Sequence, residues 1–485
     1  MKAVLFVAAE AVPFIKTGGL GDVVGSLPKE LHNLGCDVRI ILPKYEDIPV
    51  HWEKKMVFRQ NITVPLGWRR QYCGLFTGEH DGLTYYFIDN EYYFRRRGLY
   101  GFADDAERFA FFCRAVLEVL PHLPYKPDVL HCHDWHTAVL PVLLQAHYRN
   151  RPGYAALRTV LTIHNIEYQG IFPPGVLEDL LELHPRTYFT ADKLEFHGKV
   201  NYLKGGIAFA DAITTVSESY AREIMTPQGG KQLDGILQRR RQDVCGIVNG
   251  LDYGIYNPAQ DNYLYKKYNR RSTGGKLMNK LKLQEALCLP VNPEIPLIGV
   301  VSRLVAAKGF DLIAAVLDEL LAMDVQVVVL GTGEEKYESM FRVAAHRYPE
   351  KLSANLYFDD CLAHRIYAAA DIYLMPSLAE PCGISQLIAL AYGAVPVVRE
   401  TGGLKDTIDA YNEYTLEGNG FSFTYYDNRD MLDAVNRALT FFQDKAVWFR
   451  IVDTAMACDY SWQRSAAEYA ALYERYSEGG NYAGR

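Results

Sequence analysis

The sequence predicts an α/β protein whose sheets are mainly parallel, because short apolar runs alternate with helical patterns along nearly the whole chain. Strands that are covered on both faces show near-continuous apolar runs. The runs that fit are AVLFVAA, DVRIILP, DVLHCHD, TVLTIHN and AITTVS in the first half, and PLIGVVSRL, VQVVVLGTG, NLYFDD, DIYLMPS and GAVPVV in the second. A chain of 485 residues is too long for one ordinary domain, so we expect two or three domains.

The first run lies within MKAVLFVAAEA, which also resembles a secretory signal because it joins a lysine, an apolar stretch and a small-residue end. Glu10 follows the apolar stretch directly, and this favours a first strand that leads into a glycine turn. Residues 58–90 differ from the rest. Within them, CGLFTGEHDGLTYYFIDN predicts a β-hairpin inserted into the first domain.

The domain boundary is predicted near residue 245. Residues 256–280 are polar, rich in turn residues and without a strand pattern, and a sheet restarts at Pro296. We therefore expect one domain at residues 1–244 and a second at residues 245–459. The last helix, about residues 460–478, is expected to cross back onto the first domain.

Composition excludes several classes of protein. The net charge of −7, from 51 basic and 58 acidic side chains, argues against a surface that binds nucleic acid. No apolar run approaches the ~18 residues of a membrane span, so no membrane partner is expected. The nine cysteines are scattered and include no C-x-x-C pair, which favours a reduced, cytoplasmic protein over a disulfide framework or a zinc ribbon.

KTGGLGD places Lys16 directly before glycines at a predicted strand-to-helix turn. Glycines let the backbone approach a ligand, and a helix N-terminus adds N–H groups and partial positive charge, so the motif suits a phosphate. A dinucleotide-binding loop would need a third glycine where Val24 stands, and the Walker pattern is absent, so NAD binding is a weak hypothesis. A plain tight turn with Lys16 in solvent is the alternative.

Two predicted strand ends carry histidines. In HCHDWH, His131 and His133 share one strand face and Asp134 lies just beyond, so these side chains could hold a metal. No distant motif completes a metal site, so polar groups that line a cleft are favoured and no metal is expected. His164 in TIHN is either a core histidine or part of a second polar strand end.

The second half carries two further motifs. Arg303 and Lys308 in SRLVAAKG would aim two cations at one place, which suits a diphosphate leaving group; two solvated surface cations are the alternative. Glu380 in AEPCGISQLIALAYG precedes a helix that Gly383 is predicted to open, and a carboxylate can accept from adjacent sugar hydroxyls. For Glu380 the alternative is an N-terminal helix cap.

The order of these motifs resembles that of the bacterial glycogen synthases, a family shared with plant starch synthases. KTGGLGDV, HCHDWH, TIHN, VVSRLVAAKG, LGTGE, EPCG and TGGLKDT follow one another over nearly the whole chain. The resemblance implies two Rossmann-like domains facing across a deep cleft (the GT-B type), with the acceptor on the first and the nucleotide sugar on the second. It implies a retaining transferase, without metal or cofactor, that moves glucose from ADP-glucose to the non-reducing 4-hydroxyl of glycogen or another α-1,4-glucan.

The resemblance also assigns roles by motif. The residues that it implies for catalysis are Lys16, Asp134, His164, Arg303, Lys308 and Glu380. Those that it implies for donor and substrate binding are Lys16, Gly18, Gly19, Asp22, Asn165, Asn249, Phe358, Cys382, Gly383, Gly402 and Gly403. Phe358 would stack on the adenine, with Tyr357 as the alternative. Related retaining transferases often carry a second glutamate where Ile388 stands, and this departure suits the glycogen and starch branch.

Several alternatives stay open. The donor could be UDP-glucose or the acceptor a small molecule, and a catalytically silent glucan-binding protein would keep the same fold. No residue is an obvious nucleophile, so the resemblance favours attack on the face that the phosphate leaves over a covalent intermediate. The aromatic and arginine-rich residues 91–102 could contact the acceptor or could serve packing.

Overall fold

The computed structural model describes residues 2–477, which form two compact units. Within these residues, the first unit contains residues 2–250 and 462–477, and the second contains Leu251–Ser461. None of the helices in this described part of the chain is both long enough and apolar enough to cross a membrane.

The first unit is built on a parallel sheet with an antiparallel extension. Its strands are β1 (Ala3–Val7), β2 (Asp37–Pro43), β3 (Val57–Leu66), β4 (Arg69–His80), β5 (Leu83–Asp89), β6 (Val129–His133), β7 (Arg158–Ile163), β8 (Ile171–Phe172), β9 (Glu195–Phe196), β10 (Lys199–Asn201), β11 (Ala212–Thr215) and β12 (Val244–Gly246). Among residues 2–477 the main sheet has the order β12-β11-β7-β6-β1-β2-β5-β4-β3, and β8, β10 and β9 form a small antiparallel sheet. The order reverses between β1 and β6, and ligands of such sheets bind beyond the carboxyl ends of the strands at that point.

Helices follow most of these strands. They are α1 (Gly19–Asn33), α2 (Val50–Glu53), α3 (Glu91–Phe94), α4 (Asp105–Val119), α5 (Val139–Leu143), α6 (Val176–Asp179), α7 (Pro185–Tyr188), α8 (Tyr202–Phe209), α9 (Glu218–Glu223) and α10 (Asp234–Arg239). Helix α1 shows why they form: its buried positions Leu20, Val23, Val24, Leu27 and Leu31 recur at helical spacing and give it one apolar face.

The second unit contains a parallel sheet in the order β15-β14-β13-β16-β17-β18 within the described chain. Its strands are β13 (Leu297–Val301), β14 (Gln326–Leu330), β15 (Leu352–Asn355), β16 (Ile372–Met375), β17 (Val395–Arg399) and β18 (Phe421–Phe423). Its helices are α11 (Gly274–Ala286), α12 (Phe310–Ala322), α13 (Glu335–Arg347), α14 (Asp360–Ala369), α15 (Ser385–Ala391), α16 (Gly402–Thr407), α17 (Asn428–Gln443) and α18 (Lys445–Ala457). Here the order reverses between β13 and β16.

Alternate residues of this sheet enter separate apolar clusters. In β14, Val327 and Val329 belong to one cluster, whereas Val328 and Leu330 belong to the other. Successive side chains of a strand point to opposite faces, so a sheet that is covered on both sides needs an apolar residue at each position. This requirement explains why VQVVVLGTG shows a continuous run rather than an alternating pattern.

The chain returns to the first unit through α19 (Trp462–Ser477), which packs on α1. The Tyr473 hydroxyl lies 2.7 Å from His131 Nδ1, and Ser465 Oγ donates to the carbonyl of Val248 at 2.6 Å. Residue 478, the predicted end of this helix, lies outside the described residues.

Most of the predicted strands are confirmed, and one local prediction is wrong. The predicted hairpin forms between β4 and β5, and because β5 also pairs in parallel with β2, it extends the main sheet. NLYFDD is not a strand: β15 ends at Asn355, its first residue. In the polar segment 256–280, no strand forms among the described residues, but α11 begins inside the segment at Gly274.

Helix α11 carries a lysine that binds the ends of two other helices. Lys276 Nζ donates to the carbonyls of Ala368 at 3.2 Å and Ala370 at 2.8 Å, where α14 ends, and to the carbonyl of Tyr392 at 3.0 Å, where α15 ends. The last carbonyls of a helix have no partner within it and carry partial negative charge. One lysine amino group therefore satisfies acceptors from both helices, although burial lowers its pKa to about 7.

We predict that Lys276→Met lowers the free energy of unfolding by about 2 to 4 kcal/mol, because several part-buried carbonyls lose their donor. Denaturant unfolding of the parent and the variant measures this change. Lys282→Met is the matched control, since Lys282 lies on the same helix and its ammonium pairs with the exposed Glu285. Equal losses in the two variants would contradict the assignment.

Candidate active site

The loop after β1 brings Lys16 and two glycines to the start of α1. Lys16 Nζ forms an ion pair with Asp22 at 2.7 Å, and both side chains are partly exposed. A Cβ added at Gly18 or at Gly19 would meet no atom within 4 Å, so the protein's own packing does not require glycine at either position. The open space beside this backbone is therefore available to a ligand.

Glu10 holds this loop, and the sequence prediction missed its role. Its side chain is buried, and its carboxylate accepts from the Thr17 N–H, from Thr17 Oγ1 at 2.9 Å and from the Gly18 N–H at 3.3 Å. The Tyr100 hydroxyl donates at 3.0 Å to Glu10 Oε1, the oxygen that also accepts from Thr17 Oγ1. The available signal was an acidic residue directly after the first apolar run, eight positions before Gly18.

Asp134, His164 and Asn165 come together because β6 and β7 are parallel neighbours. Asp134 follows β6 with a φ of 56°, and its Oδ1 accepts the His164 N–H at 2.7 Å. Burial raises the pKa of Asp134 to about 7, although the N–H groups of His164 and Asn165 act in the opposite direction. The side chain of Asn165 accepts from the Glu167 N–H at 2.9 Å and shapes the turn that follows.

The histidines of HCHDWH make hydrogen bonds and ring contacts within the first unit. His131 Nε2 lies 2.6 Å from Thr162 Oγ1, His133 Nδ1 lies 3.0 Å from His164 Nε2, and the ring of His136 lies 4.3 Å from that of Tyr100. Burial lowers the pKa of His136 and of His164 to about 3. Within residues 2–477, no group of three or more histidine, cysteine or acidic side chains is arranged to hold a metal ion.

Asn249 lies close to the end of the first unit. Its side chain is buried, and its Oδ1 has no hydrogen-bond partner. An unpaired buried acceptor is unusual in a folded protein, so this oxygen is free to accept a bond from a ligand.

The second unit brings Arg303, Lys308 and Glu380 to the strand ends beside its reversal point. Lys308 Nζ contacts Glu380 Oε2 at 2.5 Å, and both side chains are largely buried. Arg303, Lys308 and Ser377 line one cavity of about 210 Å³. The exposed guanidinium of Arg303 has no ion-pair partner among the described residues, so it supplies positive charge that no carboxylate offsets.

Ser377 is a further member of this site that the sequence prediction missed. It is fully buried, and its Oγ donates to Glu380 Oε2 at 3.1 Å. One oxygen of Glu380 therefore accepts hydrogen bonds from both the serine hydroxyl and the lysine amino group. No sequence motif marks this serine, because its importance depends on a contact that forms only in the folded chain.

Two glycines hold the Glu380 segment against the start of α16. The Gly403 N–H donates to the carbonyl of Glu380 at 3.1 Å. A Cβ at Gly402, whose φ is 44°, would lie 2.0 Å from the Glu380 carbonyl oxygen, and one at Gly403 would lie 2.1 Å from the carbonyl oxygen of Cys382. Only glycine allows the two backbone segments to pack this closely.

The predicted helix opened by Gly383 begins later than expected. Helix α15 starts at Ser385, and Gly383 has a φ of 77° in the turn before it. The residue that precedes the helix is Ile384 rather than Glu380, so the helix-cap alternative for Glu380 is wrong. The Cys382 side chain is buried beside this turn.

The two aromatic candidates for base stacking lie in the loop after β15. Phe358 is 82% exposed and Tyr357 is 50% exposed, and the Tyr357 hydroxyl lies 3.4 Å from Asn355 Oδ1. Phe358 therefore has the more accessible ring.

Known proteins resemble this chain over nearly its full length. The model of the starch synthase catalytic domain matches residues 3–239, and that of the group 1 glycosyl transferases matches residues 289–441. The glycogen synthase of Desulforamulus reducens is 55% identical over 97% of this chain and 98% of its own length. The chain belongs to the glycogen synthase family. The glycogen synthase of Geobacillus thermodenitrificans is 53% identical over 97% of each chain.

A solved structure supports the assignment to this family and shows the fold that the family shares. The catalytic domain of starch synthase IV from Arabidopsis thaliana, bound to ADP and acarbose, matches with a TM-score of 0.89 and 35% identity, covering 99% of this chain and 100% of that domain. The predicted fold class, α/β of the GT-B type, and the predicted glycosyltransferase class are thereby confirmed.

The raised pKa of Asp134 predicts a pH-dependent change in stability. Because the folded pKa of about 7 exceeds the usual value of 3.8, the contribution of Asp134 to stability is fully present below about pH 3.8 and is lost progressively as pH rises to about 7. Asparagine stays neutral, keeps an acceptor for the His164 N–H and tolerates positive φ. We expect Asp134→Asn to raise the thermal midpoint by about 3 °C at about pH 8 and by only about 1 °C at about pH 5, where the unfolded carboxyl is ionised but the folded one is not.

Asp81→Asn is the control for this prediction. Asp81 also has a positive φ, of 50°, but its hydrogen bond with Lys29 lowers the pKa of its carboxyl. Asparagine at position 81 should therefore not raise the midpoint at about pH 8. Differential scanning calorimetry at the two pH values measures both variants. A shift for Asp134→Asn that is the same at both values would contradict the prediction.

Proposed function

We propose that this protein transfers the glucosyl group of ADP-glucose to the 4-hydroxyl at the non-reducing end of glycogen or another α-1,4-glucan, with retention of configuration and release of ADP. The observation that carries the proposal is that Arg303 and Lys308 line one cavity and that Glu380 contacts Lys308 there. It occurs in a chain that is 55% identical to a glycogen synthase over 97% of its length.

The cavity cluster suits a sugar joined to a diphosphate. Arg303 and Lys308 would neutralise the diphosphate, on which negative charge grows as its bond to the sugar carbon breaks. Glu380 would accept from glucose hydroxyls while it holds Lys308 in place, since a carboxylate has several acceptor positions. The lysine charge is largely balanced by Glu380, so the unpaired Arg303 would supply most of the net attraction for the phosphates.

The backbone around Glu380 would complete the donor site. The turn at Cys382 and Gly383 and the start of α16 at Gly402 and Gly403 would approach the donor without side chains in the way. Phe358 would stack on the adenine, with Tyr357 as the alternative. The support for adenine is that the starch synthase IV structure was solved with ADP.

The first unit would hold the transferring glucose and the acceptor. Asp134, His164 and Asn165 would flank the glucose, and the unpaired Oδ1 of Asn249 would accept from one of its hydroxyls. Lys16, Gly18, Gly19 and Asp22 would meet the donor phosphate, the nucleotide and the acceptor end, for which the open space beside the glycines leaves room. In this proposal the first domain binds the acceptor and the second binds the nucleotide sugar, and the enzyme works in the cytoplasm.

Retention would follow from attack on the face that the diphosphate leaves. A glycosidase-like double displacement needs a carboxylate that is free to attack the sugar carbon. Glu380 already binds Lys308 and Ser377, and Asp134 accepts the His164 N–H. We therefore assign catalysis mainly to electrostatic stabilisation of the leaving group by Lys16, Arg303 and Lys308.

The first test is ADP release from ADP-glucose in the presence of glycogen, with UDP-glucose in parallel and a duplicate with EDTA. We expect ADP release that is faster than UDP release and unaffected by EDTA, because no step requires a metal. Faster turnover of UDP-glucose would overturn the donor assignment. No turnover with either donor would favour a silent glucan-binding protein.

The second test concerns the two cavity cations. Arg303→Ala and Lys308→Ala should each lower kcat by about 10²-fold or more, the scale of losing one fixed transition-state donor. Steady-state kinetics with ADP-glucose measures this loss, and circular dichroism checks that the variants fold. Lys336→Ala is the control, since Lys336 is exposed and pairs with Glu334 outside the cavity. A much smaller loss in folded variants would refute the assignment.

A further inference from the structure

Two histidine rings in the first unit share a single hydrogen bond. His133 Nδ1 lies 3.0 Å from His164 Nε2, with the rings stacked at 30°. Burial lowers the pKa of both rings, so each is neutral and carries one proton. A neutral imidazole donates from one nitrogen and accepts at the other, so only one of the two nitrogens in this contact can hold the proton.

The buried environment of His133 decides which nitrogen that is. His133 is completely buried, and its Nε2 has no hydrogen-bond partner. If His164 donated, the proton of His133 would sit on this isolated Nε2 as an unpaired buried N–H. If His133 donates, only a lone pair is left unpaired there. Orphaned buried N–H groups are rarer than under-satisfied acceptors and cost the full desolvation of a donor, so the second arrangement is favoured.

Packing prevents the His133 ring from turning away. Phe6 stacks on it with ring centroids 5.2 Å apart, and the His131 ring lies 4.2 Å from it. His131 is itself held by the Tyr473 hydroxyl and by Thr162 Oγ1. The proton of His133 is therefore placed on Nδ1, and packing also fixes the direction in which this N–H points.

We propose that His133 is a positioning residue that fixes the tautomer of His164, so that His164 presents its Nδ1–H as a donor to the bound sugar. His164 is partly exposed, and its Nδ1 forms no hydrogen bond among residues 2–477. The role toward sugar rests on the proposed function, which puts His164 beside the transferring glucose. The Nδ1–H of His164 would donate a hydrogen bond to a sugar oxygen. A sugar hydroxyl that needs to donate its own hydrogen bond at this position would not be bound, because Nδ1–H cannot accept one.

The tautomer can be measured without any activity. In protein labelled with ¹⁵N-histidine, long-range ¹⁵N–¹H couplings show which ring nitrogen carries the proton, and His164→Gln assigns the resonances. We expect His164 to be a single Nδ1–H tautomer in the parent protein. A parent His164 with its proton on Nε2 would overturn the proposal, whatever the kinetics of any variant.

Variants at position 133 test the link between the two rings. His133→Phe keeps a flat ring between Phe6 and His131 but removes the donor, so His164 should become a mixture of tautomers. Turnover of ADP-glucose should fall about 10-fold, the scale of one hydrogen bond. His133→Asn, whose amide can occupy the Nδ1 position, should recover most of the rate. His147→Phe is the control, since His147 bonds the Leu181 carbonyl through Nε2.

Donors that lack single glucose hydroxyls complete the test. The parent should lose rate with the analogue that lacks the oxygen bound by His164, and this loss should shrink in His133→Phe. Full activity and an unchanged tautomer in His133→Phe would overturn the proposal. If the parent protein shows the Nδ1–H tautomer of His164 but has no transferase activity, the assignment of the histidine pair is supported and the proposed function is refuted.

Discussion

The parallel direction of the strands is the constraint on which both candidate sites depend. Parallel neighbours end at the same edge of a sheet, so loops that are far apart in sequence open side by side. Asp134 and His164 are 30 residues apart and bond directly because β6 and β7 are neighbours. Lys308 and Glu380 are 72 residues apart and meet because they follow β13 and β16, which are also neighbours. In each unit the site lies where the strand order reverses.

Hydrogen bonds within each unit then give these edges a fixed geometry. Glu10 binds the backbone before α1, and Asp134 binds the backbone after β7. Each uses a buried carboxylate to hold N–H groups, which fixes a loop more firmly than surface contacts could. Glu380 differs because it binds a lysine side chain, and it therefore sets the position of a charge.

The sequence predicted the parallel strands well, because burial on both faces leaves a strong apolar signal. It failed at NLYFDD, where Tyr357 and Phe358 have the composition of a strand but lie exposed in a loop. Aromatic residues favour strands only when a pleated surface is there to receive them. The short strands β12 and β18 were also missed, since three residues give too little pattern to identify a strand.

The site motifs were found because glycine, lysine and histidine at strand ends are visible in sequence. The supporting contacts were not, since they depend on the fold. Ser377 belongs to no motif, and Tyr100 lies in the segment 91–102, whose role the sequence left open, yet each donates to a carboxylate at a candidate site. The contact between His133 and His164 joins two motifs that looked independent in the sequence.

The close packing of Gly402 and Gly403 on the segment from Glu380 to Cys382 has a consequence for protein engineering. The two stretches touch backbone to backbone, with no side chain between them to absorb a change of path. A loop taken from a transferase of different sugar specificity could therefore not replace either stretch alone. Both would have to be exchanged as one cassette, together with the turn at Gly383 that joins the first stretch to α15.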